Sequence, residues 1–475
     1  MAAARPALAS ALVRLLGAGQ VSTAPEVLAA HAGDKWFASR APEVVVFPRT
    51  TQEVSRVLAL AHRRELPVTA RGAGYGYVGG CVPLHGGIAL SLARMARIKE
   101  IHFADGVAVV EPGVITGEFQ AAVRREGLYY PPDPASLKHC SLGGNIATNA
   151  GGPRCLKYGV TRHYVLGLEV VLADGRILRT GGRTHKNKTG FDLVGLFVGS
   201  EGLLGVVTEA TLRLLPLPPA RASLSASFRT FRQAADAVQK IFRAGFLPAA
   251  LEIADSFTLK SAREHLGAAI VPAGAGHVLI DLDGQEGSVR SETRALAALL
   301  RGLGALHLET ARGEAGCEVL WELRRKFSES LKATGLVKLN EDIVVPRGRL
   351  VELAAFAARL GKKYGYPIAC FGHAGDGNIH TNIMAAHYHD DPAVRQRVGQ
   401  ALDELFTQVL AWGGAITGEH GIGVAKARWW PQAASEVSRE VHAVLKAALD
   451  PRGILNPGKF VPAKKARASA GATAP

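Results

Sequence analysis

The sequence predicts an α+β chain of two packed domains, and three observations carry that prediction. The first is size: 475 residues, 48% hydrophobic and 20% charged, exceed what one core holds, because single cores stop growing at about 250–300 residues. The second is a change of pattern, from short strands alternating with helices before the proline-rich break at Leu215 to Pro219, to alanine-rich amphipathic helices after it. The third is the abundance of turn formers, 54 glycines and 24 prolines with neither a collagen period nor a low-complexity run, which favours backbone-lined sites over a helical bundle. No apolar run approaches the ~20 residues that span a bilayer, so a membrane-spanning role is set aside.

The elements follow in chain order. The first 25 residues lack Asp and Glu and carry Arg5 and Arg14 among Ala and Leu; this fits a transit peptide or an amphipathic anchor, but an ordinary helix over Ala7 to Leu16 is the simpler reading. Pro42 to Phe47 reads as a strand, Thr51 to Arg64 as a helix with Val54, Val57, Leu58 and Ala61 at helical spacing, and Pro67 to Ala70 as another strand. That β-α-β start runs into Arg71-Gly-Ala-Gly-Tyr-Gly-Tyr-Val-Gly-Gly80. Gly74, Gly76 and Gly79 formally fit the dinucleotide-binding G-x-G-x-x-G pattern, but the pattern requires a helix to open at its last glycine. Pro83 and Gly86-Gly87 follow instead, and Ile88 to Leu92 resumes a strand. What remains is a glycine-rich loop whose bare N–H groups can wrap a phosphate, with Arg71 beside them.

Val107 to Glu111, Val165 to Leu172 and Leu204 to Leu215 read as strands, and Gly117 to Glu126 as a helix, which gives this region an α/β alternation. Two more glycine clusters lie here, Ser141 to Gly152 after Pro131-Pro-Asp-Pro134, and Gly199-Ser-Glu-Gly-Leu-Leu-Gly205. Past the break, helices are expected near Ala234 to Ala244, Ser288 to Leu300, Leu350 to Lys363 and Val394 to Ala411, with a strand at Val278 to Asp281. The expected division is a helical segment over 1–41, a first domain over 42–219, a second over 220–450, a closing segment over 451–463, and a basic, disordered tail over 464–475.

A net charge of +15 with neutral histidines favours anionic partners without choosing among polyanions, membranes and acidic metabolites. The five cysteines are odd in number and lack a C-x-x-C pair, so neither a disulfide framework nor a cysteine zinc site is expected, and a reducing compartment fits.

The sharpest local signal is Phe371-Gly-His-Ala-Gly-Asp-Gly-Asn-Ile-His-Thr-Asn-Ile383. Asp-Gly is a strong two-residue hairpin signal, and with Asp376-Gly377 as the central pair His373 falls opposite His380. Opposed residues on one face have Cβ atoms about 4.5–5.5 Å apart, close enough for two imidazoles to share a metal ion. The period-2 rule puts Asn378 and Asn382 on the same face. Gly418-Glu-His-Gly-Ile-Gly423 offers Glu419 as a third ligand and His420 as a general base beside the metal. The alternative is a set of hydrogen-bonded core histidines. Arg324 and Lys338 are cationic candidates for a substrate carboxylate.

These motifs, taken together, resemble the FAD-linked oxidoreductases of the vanillyl-alcohol-oxidase type. The resemblance is specifically to the D-2-hydroxyacid branch, which holds D-lactate dehydrogenase, D-2-hydroxyglutarate dehydrogenase and the glycolate oxidase flavin subunit. It runs from about Pro42 to Phe460 and rests on 71–80, on 131–136 leading into 140–152, on 199–202, on 372–380, on 418–423 and on Leu455-Asn-Pro-Gly-Lys459. It implies a PCMH-type two-subdomain FAD-binding domain, an α+β substrate (cap) domain, and a C-terminal segment returning to the FAD domain. The FAD would be held by Arg71, Gly72, Ala73, Gly74, Tyr75, Gly76 and Gly80, then Pro132, Asp133, Ser136, Cys140, Gly143, Gly144, Asn145, Thr148 and Gly152. Glu201, Gly202, Gly205, Val206 and Asn456 would complete its site. His373, His380 and Glu419 match the divalent-metal ligands, His420 the catalytic base, and Arg324, Lys338 and Asn382 substrate-contacting positions.

Three departures refine this. Tyr75 stands where relatives with covalent FAD carry histidine and where this branch commonly has threonine, so noncovalent FAD is expected. Leu203 replaces another frequent threonine. Cys140 sits where some distant relatives use a second link, but its spacing to Gly143-Gly144 resembles the noncovalent branch.

The implied reaction is oxidation of a D-2-hydroxyacid, D-lactate first among D-lactate, D-2-hydroxyglutarate and glycolate, to the 2-oxoacid. A zinc, manganese or iron ion would anchor the substrate and lower its hydroxyl pKa, His420 would take the proton, and the hydride would pass to flavin N5. Electrons would leave to a quinone, cytochrome or electron-transfer protein; the setting expected is cytoplasmic, at most peripheral at the inner membrane, and compatible with a homodimer. A rival keeps the fold but makes the chain a flavin subunit of a glycolate oxidase complex. A nucleic-acid-binding role is disfavoured, since aromatics are only 6% and are not interleaved with the dispersed basic residues.

Overall fold

The computed structural model describes residues 4–462, so the basic tail beyond Lys464 lies outside the described residues. Among the described residues two compact units emerge, one of 4–150, 160–217 and 419–462, the other of Gly151–Gly159 and Pro218–Gly418. The return to the first unit therefore begins at Glu419 rather than after Asp450. The short piece 151–159 belongs to the second unit because its charged side chains are committed there: Lys157 Nζ and Tyr158 Oη both donate to the Asp283 carboxylate, and Arg154 lies 3.8 Å from Asp281.

In the first unit the helix Ala4–Leu16 turns Leu8, Leu12 and Leu16 into the same core as Val54, Val57, Leu58 and Ala61 of the helix Thr51–Arg64. The opening segment is thus a core helix, because its apolar stripe is covered by the chain itself. Thr50 caps the second helix by accepting from Glu53 N–H. These helices accompany a four-stranded sheet in the order Val21–Ser22, Val44–Val46, Ile88–Ser91, Val68–Arg71, its last three strands mutually parallel.

A second sheet in this unit has five strands, Ile98–His102, Val107–Val110, Val206–Arg213, Val165–Val171 and Ile177–Gly181, all antiparallel. The α/β alternation expected for this region is confined to the first sheet; here two local strand pairs are joined by the distant strand Val206–Arg213 between them, and the result is α+β. The cluster after Ser141 is also more ordered than a loop. Ser141 accepts from Gly144 N–H and opens a helix, Leu142–Thr148, which Asn149 ends in the left-handed conformation at φ 52°.

The second unit is built on one seven-stranded antiparallel sheet, in the order His307–Arg312, Ala220–Phe228, Gly276–Gly284, Ala250–Ala254, Ile368–His373, Asn378–Ala385, Val337–Val344. The expected helices form over Phe231–Arg243, Glu286–Gly302, Leu350–Tyr364 and Pro392–Ala411. The helix Gly313–Ala333, not anticipated, lays Leu320, Trp321 and Phe327 on the sheet against Leu279 and Phe371. Among the described residues no helix is long and apolar enough to cross a membrane.

Candidate functional site

In the first unit the strand Val68–Arg71 delivers the chain into the first glycine loop. Arg71 does not reach outward as a phosphate partner would. Its guanidinium donates to Gly33 O at 2.6 Å, Ala30 O at 3.2 Å and Cys81 Sγ at 3.1 Å, so it pins the loop to the segment around Gly33. Gly74 is obligatory there, since at φ +74° an added Cβ would stand 2.0 Å from Arg71 Nη2. A cavity of about 380 Å³ lies beside this loop, lined among others by Lys35, Trp36, Ala73 and Tyr75. The Tyr75 ring stacks on His139 with centroids 4.9 Å apart, and Lys35 Nζ lies 4.5 Å from the Tyr75 ring centre. Lys35, which the sequence reading passed over, is therefore a cation at the cavity wall.

The glycines expected to hold FAD separate into two kinds. An added Cβ at Gly80, Gly144 or Gly202 meets nothing nearer than 4.0, 3.4 and 3.9 Å respectively, which leaves bare backbone open to a ligand. At Gly72, Gly143 and Gly205 it would meet Ser141, Pro112 and Val170 at 2.4–2.5 Å. These three serve close packing of the chain on itself. Asn145 likewise turns inward, buried and donating to Thr116 Oγ1 at 2.7 Å, while Cys140 is buried and free of any disulfide. Thr148 Oγ1 donates to Gly144 O. The carbonyls of Pro132 and Ser136 are used within the fold, by Gln120 Nε2 and by the N–H groups of His139 and Cys140. Gly152 lies in the second unit, its N–H on Cys155 Sγ.

Glu201 has its backbone at φ +49° and its carboxylate on two N–H groups, Ile422 at 2.7 Å and Gly423 at 2.8 Å. Burial pushes its carboxyl up, against those N–H donors and the nearby Lys459 and Lys426. Asn456 donates to Gly80 O and Glu201 O, both at 2.9 Å, tying the closing segment to the first and third glycine clusters. Val206, the residue after Gly205, begins its strand and is buried in the core. The open glycines, the cavity and its lysine together fit an extended anionic cofactor.

In the second unit the register differs from the one expected. His373 pairs with Asn378 and Phe371 with His380, so the loop is four residues, 374–377, rather than two. The reason lies in the turn: Asp376 and Gly377 N–H both donate to His373 O, Asp376 Oδ1 accepts from Asn378 N–H, and only Gly377 is left-handed, at φ +85°. Two glycine-type residues at the centre would have been needed for the shorter turn. Because the slip is by two, face is preserved: His373 and His380 lie diagonally on one side, ring centroids 5.4 Å apart.

The neighbouring strand supplies what the hairpin lacks. Glu252 sits directly opposite His373 and accepts from its Nδ1 at 2.6 Å. Burial works against this carboxylate, but the imidazole of His373 and the guanidinium of Arg324, whose Nε donates at 2.6 Å, bring it down to about 2. A carboxylate held ionised accepts a proton donor at Nδ1 and leaves Nε2 of His373 as the lone-pair nitrogen. Arg324, expected on a substrate carboxylate, thus spends Nε on Glu252. Glu252 itself was missed; a single charge at the centre of Ala249-Ala-Leu-Glu-Ile-Ala254 is the signal that points to it.

Asn382 is fully buried and its Nδ2 donates to Ala369 O and His380 O, so it braces the hairpin. Lys338 donates to Ser328 Oγ at 2.7 Å, and burial lowers it to about 8. Asp342, opposite His380 on the edge strand, accepts from Thr417 Oγ1 and Gly418 N–H at 2.9 and 3.0 Å. Glu419 follows Gly418 by one peptide bond, about 3.8 Å from Cα to Cα. In the first unit His420 stacks on Tyr77 with centroids 5.1 Å apart.

Comparison with known proteins adds the family. Residues 42–181 match the FAD binding domain, and residues 217–460 the C-terminal domain of FAD linked oxidases. A relative, glycolate oxidase subunit GlcD of Bacillus subtilis, is 40% identical over 426 residues, 90% of each chain. D-lactate dehydrogenase of Anaerostipes hadrus is 32% identical over 88% of this chain and 89% of its own. The crystal structure of p-cresol methylhydroxylase with substrate bound superposes with a TM-score of 0.79 over 96% of both chains at 19% identity. That last likeness concerns the PCMH-type fold alone.

Proposed function

This chain belongs to the FAD-linked oxidases, in the branch that includes glycolate oxidase GlcD and D-lactate dehydrogenases, and from that premise we propose that it oxidises a small D-2-hydroxyacid to the 2-oxoacid at a metal-assisted site. FAD-dependent 2-hydroxyacid oxidation is the common ground of these relatives; the stereochemistry, the metal and the residue roles are our reading. The observation that carries it is the hydrogen bond from His373 Nδ1 to the ionised Glu252, beside His380 on the same face. Metal-binding histidines are oriented in this way, with the second ring nitrogen on a carboxylate.

His373, His380 and Glu419 form an imidazole-rich donor set that suits zinc, manganese or iron and leaves an open position. A metal held there supplies Lewis acidity that makes a bound hydroxyl easier to deprotonate. His420 takes the hydroxyl proton as general base. Lys338, cationic below its lowered pKa of about 8, faces the substrate carboxylate. Noncovalent FAD supplies the two-electron acceptor. D-lactate and glycolate are the substrates the two relatives favour. The GlcD likeness also supports a second reading, in which the chain is the flavin subunit of a larger assembly passing electrons to a quinone, cytochrome or electron-transfer protein.

The test is anaerobic bleaching of bound flavin by a panel of D- and L-2-hydroxyacids and glycolate, with and without chelator. Bleaching by D-lactate or glycolate that chelator abolishes is expected. No bleaching by any 2-hydroxyacid, or full reduction by His420→Ala, sinks the proposal. Turnover of the isolated polypeptide with an artificial acceptor separates the enzyme from the dependent subunit.

A further inference from the structure

The proposed base sits in a loop tied to the rest of its unit by more contacts than a turn needs. Four consecutive N–H groups after it are spoken for: Ile422 and Gly423 donate to Glu201, Val424 and Ala425 to Val78 O at 2.7 and 3.1 Å. Both glycines of the loop are left-handed, Gly421 at φ +83° and Gly423 at φ +50°. An added Cβ at Gly421 would stand 2.7 Å from Glu201 Oε1, and one at Gly423 2.3 Å from Val78 O. The loop therefore approaches its two anchors as closely as backbone can.

The anchors are themselves fixed. Asn456 holds Glu201 O and Gly80 O together, and Lys459 donates to Val82 O at 2.7 Å. On the other side, Tyr77, a residue 43% exposed, stacks its ring on His420 with centroids 5.1 Å apart and 28° between planes. Three separate sequence motifs, 71–80, 199–202 and 455–459, thus converge on the segment that carries one histidine.

We infer that Tyr77 and Glu201 are positioning residues for His420, the stacked ring setting the plane of the imidazole and the carboxylate pinning the loop that bears it. The inference rests on the reading of His420 as the base. Its physical premise is that proton transfer needs the acceptor nitrogen within hydrogen-bond reach, so that a displacement of about 1 Å costs on the order of 100-fold. Substrate affinity, set by the metal and the cationic side chains, is left nearly alone.

The experiment is stopped-flow anaerobic flavin reduction by the substrate identified above, using holoenzyme and the variants Tyr77→Phe, Tyr77→Leu and Glu201→Gln, with flavin content as the check on folding. Tyr77→Leu and Glu201→Gln are expected to lower the limiting reduction rate about 10- to 100-fold, with the substrate Kd changed less than about threefold and a larger solvent isotope effect. Tyr77→Phe, which keeps the ring face, restores the rate. The inference is overturned if Tyr77→Leu reduces flavin at the wild-type rate, or if the loss appears in Kd alone, or if Phe fails to rescue. Should Glu201→Gln lose flavin, the Tyr77 pair decides. Intact reduction by His420→Ala would instead remove the reading on which this rests.

Discussion

Glu252 determines which nitrogen His373 can present, and it does so as an ionised acceptor buried between the imidazole of His373 and the guanidinium of Arg324. Replacing it by Gln leaves shape but offers His373 an amide that can donate as well as accept, so the tautomer is no longer fixed. Glu252→Gln is expected to weaken metal affinity about 10- to 100-fold, measured as the metal-to-protein ratio across a chelator titration; an unchanged ratio would rule out the orienting role. Lys338 carries a second residue-scale prediction. Burial lowers its pKa to about 8, so the cation is present below pH 8 and is lost as pH rises through it. Substrate Kd should weaken over that interval, and Lys338→Met should be weak throughout and lack the step. A wild-type step that persists in Lys338→Met would assign it to another group. At this scale the two histidines are legible in the sequence because their spacing is local, whereas Lys338 is singled out only through the family resemblance. The sequence marks Glu252 as a lone charge in an apolar strand but does not pair it with His373, 121 positions away.

At the scale of elements, the 368–385 hairpin shows where local pattern falls short. The alternation of Asn378, His380 and Asn382 put them on one face, and that face survives in the structure. The loop length did not, since Asp376 bonds to the backbone of Asn378 and only one left-handed residue is used. Gly377 is consequently under strict demand: at φ +85° an added Cβ would fall 2.0 Å from Val345 O. Gly377→Ala should cost on the order of 1–3 kcal/mol and displace the histidine pair, read as a lower unfolding midpoint together with loss of bound metal. Wild-type stability in that variant would show that the turn tolerates another path. The Leu142–Thr148 helix makes the same point from the other side. Its glycines suggested a bare loop, yet the Ser141 cap and the packing of Gly143 on Pro112 give it helical order.

For the whole molecule, stability against acid is a property of the buried core. His277 is buried against Phe327 with Ser225 Oγ at 2.8 Å, and burial lowers it from 6.5 to about 4. The folded state thus excludes a proton that the unfolded chain binds below about 6.5, so stability is full above that pH and falls as pH drops toward 4. The loss has an upper bound of about 3 kcal/mol. Urea unfolding at pH 7 and pH 4.5 should show a decline that is shallower in His277→Gln; equal declines would trace the acid sensitivity elsewhere. Buried pairs such as Arg221–Asp281, Arg324–Glu252 and Lys446–Asp450 hold one charge of each sign, so the net +15 is carried by the rest of the chain. The sequence by itself determined the α+β class, the proline break, about half of the helices and strands, and the motifs that place the chain among the FAD-linked oxidases, because each is written in local periodicity or in a contiguous run of residues. Only the tertiary structure decided that 151–159 joins the second unit, that the chain returns at Glu419, that Arg71 and Asn145 serve the fold, and that Glu252, Tyr77 and Glu201 support the histidines. Those assignments depend on pairings between residues hundreds of positions apart; Tyr77 and His420 are separated by 343. No local pattern encodes such a pairing; it is fixed by which buried polar groups must find a partner once the sheets and helices have packed.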